Sequence, residues 1–221
     1  MPSLATCVPA RQAFIAKESG KQAKLFHLLV EGKYEPGYWL HIEIPASSNL
    51  VDLDDFLRAV WLECCGHLSQ FTIGDIYYSS FPNPDDPMNA FYGQEEKSMK
   101  SKLYRVLEVG DTFLHEYDFG TTTELKLKVI GSREGIPLKH GVRILARNYA
   151  PFYPCVICGR QAEWFYVYEY PFDGFCNEHA EEHLEWEDAF LPVVNSPRVG
   201  ECGYDGPFDK SMEFEQIYSE D

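Results

Sequence analysis

Four residues toward the C-terminal end constrain the fold more than anything else in the chain. Cys155, Cys158, Cys176 and His179 stand in the pattern C-x2-C-x17-C-x2-H. Two cysteines separated by two residues can place both sulfurs on one ion. Gly159, directly behind the second, permits a left-handed turn that aims backbone N–H groups at those sulfurs. From Ala162 to Glu169 large residues alternate, with Trp164, Tyr166 and Tyr168 against Phe165 and Val167, as in a strand. Tyr170-Pro171-Phe172-Asp173-Gly174 then supplies turn chemistry. Cys176 and His179 are three apart, which puts them on one side of a first helical turn, and the helix is predicted to continue through Leu184 and Trp186.

A knuckle, a hairpin and a helix-borne ligand pair make a treble-clef-like zinc finger. Thiolates are soft ligands that select zinc over magnesium or calcium; iron fits the same shell. A Cys3His set is closed and tetrahedral, the structural type of zinc site, with no open position for water or substrate. The expectation is therefore one structural zinc per chain. His183, four residues beyond His179, is the alternative fourth ligand, but the two-residue gap after Cys176 favours His179. A segment this short buries too little surface alone, so the metal should supply its missing stability. Trp164, Phe165, Tyr166, Tyr168, Tyr170 and Phe172 read as packing around the ion or against the main domain, with a stacking platform for bases as the other reading.

Charge bears on that choice. The chain carries 35 acidic against 19 basic residues, a net charge of −16. Phosphate contacts supply most of a nucleic-acid binder's affinity, so this balance disfavours nucleic acid and anionic membranes alike. The stretch from Lys97 to Arg105 is the local exception. No apolar run approaches a membrane span, and Met1 to Lys24 has no signal core, so a cytoplasmic location is expected. Seven cysteines, an odd number, with a C-x-x-C pair favour metal over disulfides.

Residues 1–24 read as irregular. Leu25 to Glu31 and Tyr38 to Ile44 read as strands around a Glu35-Pro36-Gly37 turn, the second alternating Trp39, His41 and Glu43 against Leu40, Ile42 and Ile44. Leu50 to Cys65 reads as a long helix, with Leu50, Leu53, Phe56, Leu57, Val60, Trp61 and Cys64 on one face, so that Cys64 is a core residue. Ser47, Ser48, Asn49 and Asp52 offer cap oxygens and Gly66 stops it. Phe71 to Tyr78 reads as a strand, Ser79 to Gln94 as a long loop and Lys102 to Leu107 as a short helix. Thr112 to Phe119 with Glu124 to Ile130 reads as a second hairpin, its second strand alternating Leu125, Leu127 and Val129 with Lys126, Lys128 and Ile130, and Val142 to Ala146 reads as a last short strand. The fold class is α+β: a mainly antiparallel sheet with one long and one short helix, plus the finger. The expected division is 1–24, a domain over 25–150, the finger over 151–190, and a C-terminal loop and acidic tail over 191–221.

The stretch from about Leu25 to Ile130 resembles the plasmid pRiA4b ORF-three-like domain family. Tyr38-Trp39-Leu40-His41-Ile42-Glu43-Ile44-Pro45, Leu53 to Trp61, His67-Leu68-Ser69-Gln70-Phe71 and above all His115-Glu116-Tyr117-Asp118-Phe119-Gly120 carry the likeness. The resemblance implies an α+β domain of uncharacterised function from mobile-element neighbourhoods, with a cysteine-rich segment behind it in longer members. In that family the last string continues with aspartate, tryptophan and histidine, where Thr121, Thr123 and Leu125 stand here. Members are also described as resolvase-like, but a serine recombinase needs a nucleophilic serine among arginines and the sequence shows no such cluster. Read without the family, Asp118 and Gly120 are turn residues and Tyr117 or Phe119 is core. His41 and His67, as lone histidines, read as packing or surface groups.

The loop Leu191 to Gly206 gathers special residues. Arg198 can clamp a carboxylate or phosphate, Asn195 or Tyr204 can orient it, and Cys202 is a candidate nucleophile if a base stands beside it. A loop docked on the finger by Val193, Val194 and Tyr204 is the plainer reading. The sequence thus points to a zinc-binding, non-catalytic module for an unknown protein or small-molecule partner. The alternatives are an enzyme using Asp118, Arg198, Cys202 and Tyr204 in a pocket between the domain and this loop, and a nucleic-acid-associated mobile-element protein.

Overall fold

The computed structural model describes residues 20–82, 95–138 and 141–207. They form two compact units: 20–57 with 68–148, and 58–67 with 149–207.

The first unit is built on an eight-stranded sheet. Its strands are β1 (Ala23–Gly32), β2 (Trp39–Pro45), β3 (Ser69–Ile73), β4 (Ile76–Ser79), β5 (Glu95–Ser98), β6 (Thr112–Tyr117), β7 (Thr123–Gly135) and β8 (Arg143–Arg147). The order is β5-β4-β3-β6-β7-β1-β2-β8. Every pairing is antiparallel except β4 with β5. Period-two patterning sets the register. Leu125, Leu127 and Val129 are buried on β7 while Lys126, Lys128 and Ile130 face out. On β2, Leu40, Ile42 and Ile44 are buried as the alternation predicts, but so is Glu43. Arg133 on β7 answers it across β1 with two bonds, Nε to Oε1 at 2.5 Å and Nη2 to Oε2 at 2.6 Å, the fork that satisfies a buried carboxylate. The stretch expected as one strand from Phe71 to Tyr78 is a hairpin, β3 and β4, turned at Gly74 with φ 59°. β5 was not foreseen, and most of the Pro-rich loop before it lies outside the described residues.

The helix α1 spans Leu50–Leu57. Asn49 and Asp52 close its start reciprocally: Asp52 N donates to Asn49 Oδ1 at 3.0 Å and Asn49 N to Asp52 Oδ2 at 2.8 Å. The single long helix expected as far as Cys65 is not what forms. After Leu57 the turn widens to a π-helix over Arg58–Leu62, and Glu63 N donates back to Arg58 O at 2.8 Å. Cys64 and Cys65 follow in bends, so Cys64 does not occupy the helical core position that periodicity gave it. The short helix α2 covers Leu103–Val106. No described helix is long and apolar enough to cross a membrane.

α1 is fixed to the sheet by a buried polar pair. His115 Nε2 on β6 stands 2.7 Å from Asp54 Oδ1, and both side chains are almost fully buried. His115 Nδ1 has no hydrogen-bond partner. Asp54→Ala would strip the ring's other nitrogen of its acceptor, and a buried polar group left unmade costs about 1–3 kcal/mol. Urea unfolding should show a loss of that size, with Asp54→Asn, which keeps an acceptor, losing less.

A second histidine pair lies on β1 and β2, where both strands carry bulges. His27 Nε2 is 2.9 Å from His41 Nδ1. Burial, then the neighbouring His41, pulls His27 down to about 4, with Glu43 opposing and Arg133 assisting. Burial also lowers His41. Both rings therefore bind protons more readily in the unfolded chain, so their contribution is intact above about pH 6.5 and is lost as the pH falls from there toward 4. The denaturation midpoint should drop across that window, and less in His27→Gln. A midpoint level from pH 6.5 to 4 would contradict this.

Candidate metal centre

In the second unit, local backbone chemistry builds the knuckle. Pro154 and Gln161 form a bridge, Gly159 N donates to Cys155 O at 2.8 Å, and Gly159 takes φ 75°, open to glycine without strain. β9 (Trp164–Tyr166) pairs with β10 (Asp173–Phe175) on one side and β11 (Phe190–Pro192) on the other, all antiparallel. Val156 N donates to Gly174 O at 2.9 Å and ties the knuckle to β10. The helix α3 (Asn177–Glu181) has Cys176 as its N-cap, so Cys176 and His179 sit on its first turn. It does not run on through Leu184; a separate helix, α4, covers Trp186–Ala189.

The three sulfurs and one ring nitrogen of Cys155, Cys158, Cys176 and His179 all lie within 4.8 Å of one another. Cys158 Sγ is 3.8 Å from Cys176 Sγ, and His179 Nδ1 is 3.5 Å from Cys155 Sγ and 3.2 Å from Cys176 Sγ. Zinc bonds of about 2.3 Å to sulfur and 2.0 Å to nitrogen give tetrahedral edges of about 3.8 Å between sulfurs and 3.5 Å between sulfur and nitrogen. The donor set fits a metal ion. Burial pushes the Cys155 thiol up, but backbone N–H groups of Cys176, Cys158 and Ile157, with His179, outweigh it and bring it down to about 6. Arg160 holds Cys158 low. Its Nε donates to Cys158 Sγ at 3.3 Å and its Nη2 to Cys176 Sγ at 3.4 Å. Arg160 also pairs with Glu178. Three thiolates on a divalent ion leave one net negative charge, which the guanidinium offsets.

His183 is not part of this group. Its Nδ1 accepts from Glu185 N at 3.2 Å, and its ring packs against Tyr166, Phe175 and Phe190. The aromatic residues mostly pack: Phe165 is buried against Tyr153 and Phe172, and Trp164 meets Trp186 edge-on at 4.8 Å. Tyr168 and Tyr170 remain exposed.

The chain's relatives bear on what this centre belongs to. The sequence profile of the Plasmid pRiA4b ORF-3-like protein family matches residues 26–190. The chain belongs to that family. The match extends beyond the 25–130 stretch that carries the likeness by eye and takes in all four residues of the centre. No curated protein matches this member of the pRiA4b ORF-3-like family. Among solved structures it is similar to a protein of unknown function from Methanosarcina mazei Go1, with TM-score 0.50 and 19% identity over 75% of this chain and 86% of that one. At that identity the likeness speaks for the fold alone.

The C-terminal loop turns two of its candidate ligand-binding side chains inward. Arg198 and Tyr204 are buried, at 0% and 1% exposure. Arg198 Nη2 donates to Cys64 Sγ at 3.4 Å. Ser196, which sequence reasoning passed over, bonds the Trp61 carbonyl at 2.6 Å and accepts from Arg198 N at 2.9 Å. Asn195 is half-buried. Asp118, in the other unit, takes φ 65° and its Oδ1 caps its own turn through Gly120 N at 3.0 Å. Cys202 is exposed, with φ 48°, and its sulfur turns toward Cys65 and His67. The first unit does carry an open cleft of about 580 Å³, lined by Ile73, Tyr78, Lys97, Arg105 and Asp111 among others. Ser101 and Thr112 add hydroxyl groups to its lining, which contains no histidine or cysteine.

Proposed function

We propose that this member of the family is a non-catalytic binding or interaction module whose C-terminal unit is stapled by a structural zinc ion on Cys155, Cys158, Cys176 and His179. The observation that carries the reading is the closed Cys3His set, at tetrahedral spacing and backed by Arg160, which leaves no coordination position for water or substrate. When bound, the ion joins the knuckle before β9 to the first turn of α3, and so holds both ends of the β9–β10 hairpin. Arg160 favours the charged form of Cys158 and donates to the sulfurs of both Cys158 and Cys176. Burial of Arg198 and Tyr204 weighs against the enzyme alternative, while His67 Nε2, 3.3 Å from Cys202 Sγ, supplies the neighbouring base that a Cys202 nucleophile requires. A small-molecule partner could use the open cleft of the first unit, whose lining sets Lys97 and Arg105 against Asp111, with Lys97 paired to Glu95. The cytoplasm is the compartment that suits reduced cysteines.

Elemental analysis of protein purified under reducing conditions tests the zinc reading. Cys176→Ser should lose about one equivalent of zinc relative to the parent. Equal zinc in parent and variant would overturn it.

A further inference from the structure

A second group of metal-ligand type stands apart from the first. Cys64, Cys65, His67 and Cys202 each offer one ligand atom, and these four atoms lie within 4.8 Å of one another. Cys65 Sγ is 3.6 Å from Cys64 Sγ and 3.8 Å from Cys202 Sγ. His67 Nε2 is 3.3 Å from Cys202 Sγ and 2.9 Å from Cys65 Sγ. Three of these four separations fall within about 0.3 Å of the tetrahedral edges given above; the fourth is tighter and would lengthen around an ion.

Core packing does not account for this convergence. Free cysteines that serve as packing are among the most buried of residues, yet Cys65 and Cys202 are exposed. Adjacent residues on extended backbone point to opposite sides. Here the bends at Cys64 and Cys65, after the π turn, bring both sulfurs to one side. Cys202 is held at φ 48°, a conformation that costs a non-glycine residue free energy and persists where its surroundings impose it. The group also repeats the build of the first centre. Cys65-Gly66 and Cys202-Gly203 are cysteine-glycine steps with Gly66 at φ 80° and Gly203 at φ 67°, as Cys158-Gly159 is with φ 75°. Each group has one arginine donating to a sulfur, Arg160 there and Arg198 here.

We propose that Cys64, Cys65, His67 and Cys202 form a second structural zinc site, which pins the segment 58–67 to the C-terminal loop within one compact unit. Binding releases the three thiol protons to solvent, and the resulting Cys3His complex bears one net negative charge beside the Arg198 guanidinium. The site ties together residues 135 positions apart in the chain. It raises the zinc content above the one ion that the C-x2-C-x17-C-x2-H pattern implies.

The test is zinc content by mass spectrometry on the full chain purified under reducing conditions. The parent should hold about two equivalents, and Cys202→Ser and Cys176→Ser about one each. Because a cysteine variant can misfold, His67→Cys serves beside His67→Ala: the first keeps four soft ligands and should retain about two equivalents, the second about one. Parent zinc of about one equivalent that Cys202→Ser leaves unchanged and Cys176→Ser abolishes would overturn the second site and leave the first standing. Loss of two hydrogens from the intact mass without reductant, with Cys65 and Cys202 joined in a peptide map and no second zinc under reduction, would also overturn it in favour of a disulfide.

Discussion

Stripping the proposed zinc from the Cys155–His179 centre should unfold the C-terminal unit. Zinc on a closed thiolate site is bound with an apparent free energy of about 10–16 kcal/mol at neutral pH, and in small metal-held folds that binding energy is folding energy. Little else is available to hold the knuckle. The strands β9, β10 and β11 are three residues each and α3 five, lengths that do not persist alone in water. Titration with a strong chelator should therefore release Trp164 from its edge-on contact with Trp186, seen as a change in tryptophan emission. It should also open residues 149–207 to protease before the eight-stranded sheet of the first unit, whose core includes fully buried Leu28, Leu40, Ile42, Leu125 and Leu127. Fragment masses from limited proteolysis, with and without chelator, read this directly. A C-terminal unit equally resistant in both conditions would show that the aromatic packing suffices without an ion.

Part of this architecture is legible in the sequence and part is not, for physical reasons. The alternation on β2 and β7 and the knuckle spacing are local patterns, and each was legible because one face of a strand, or one ion, dictates residues a fixed distance apart. The helix was misjudged at its C-terminal end. Leu57, Val60, Trp61 and Cys64 satisfy α-periodicity, and periodicity does not register a π turn, which changes where Cys64 points. The second cluster was missed for a related reason. Cys64-Cys65-Gly66-His67 carries the same cysteine-glycine step as the knuckle, and so does Cys202-Gly203, but nothing local joins them. His67, read as a lone histidine, and Cys202, read as a candidate nucleophile, gain their meaning only from each other. Arg198 is the same lesson in reverse: a residue type suited to clamping an anion, which the fold buries and turns onto a sulfur. Glu43 could not have been placed by alternation either, since its burial rests on Arg133, on a strand far along the chain.

Gly174→Ala should damage the first metal centre although position 174 supplies no ligand. A Cβ built there would stand 2.9 Å from the Pro154 carbonyl oxygen and 2.8 Å from the Ala162 Cβ. Neither can swing aside, for one is backbone and the other is the root of its own side chain. The relief available is a shift of the chain at Pro154, directly before Cys155, or a rupture of the Val156 N to Gly174 O bond. Overpacking of this kind costs about 1–3 kcal/mol, and disturbance of the groups that orient a metal's ligands lowers affinity about 10–100-fold. Gly159→Ala provides the contrast. Its φ of 75° strains an alanine, but nothing lies within 4 Å of the added carbon, so the cost is conformational, about 1–2 kcal/mol, with no push on a ligand. Competition for zinc against a coloured chelator separates the two mechanisms. The loss of affinity should be larger in Gly174→Ala than in Gly159→Ala. The reverse order would mean that the left-handed turn behind Cys158, and not the contact between β10 and the knuckle, holds the sulfurs in place.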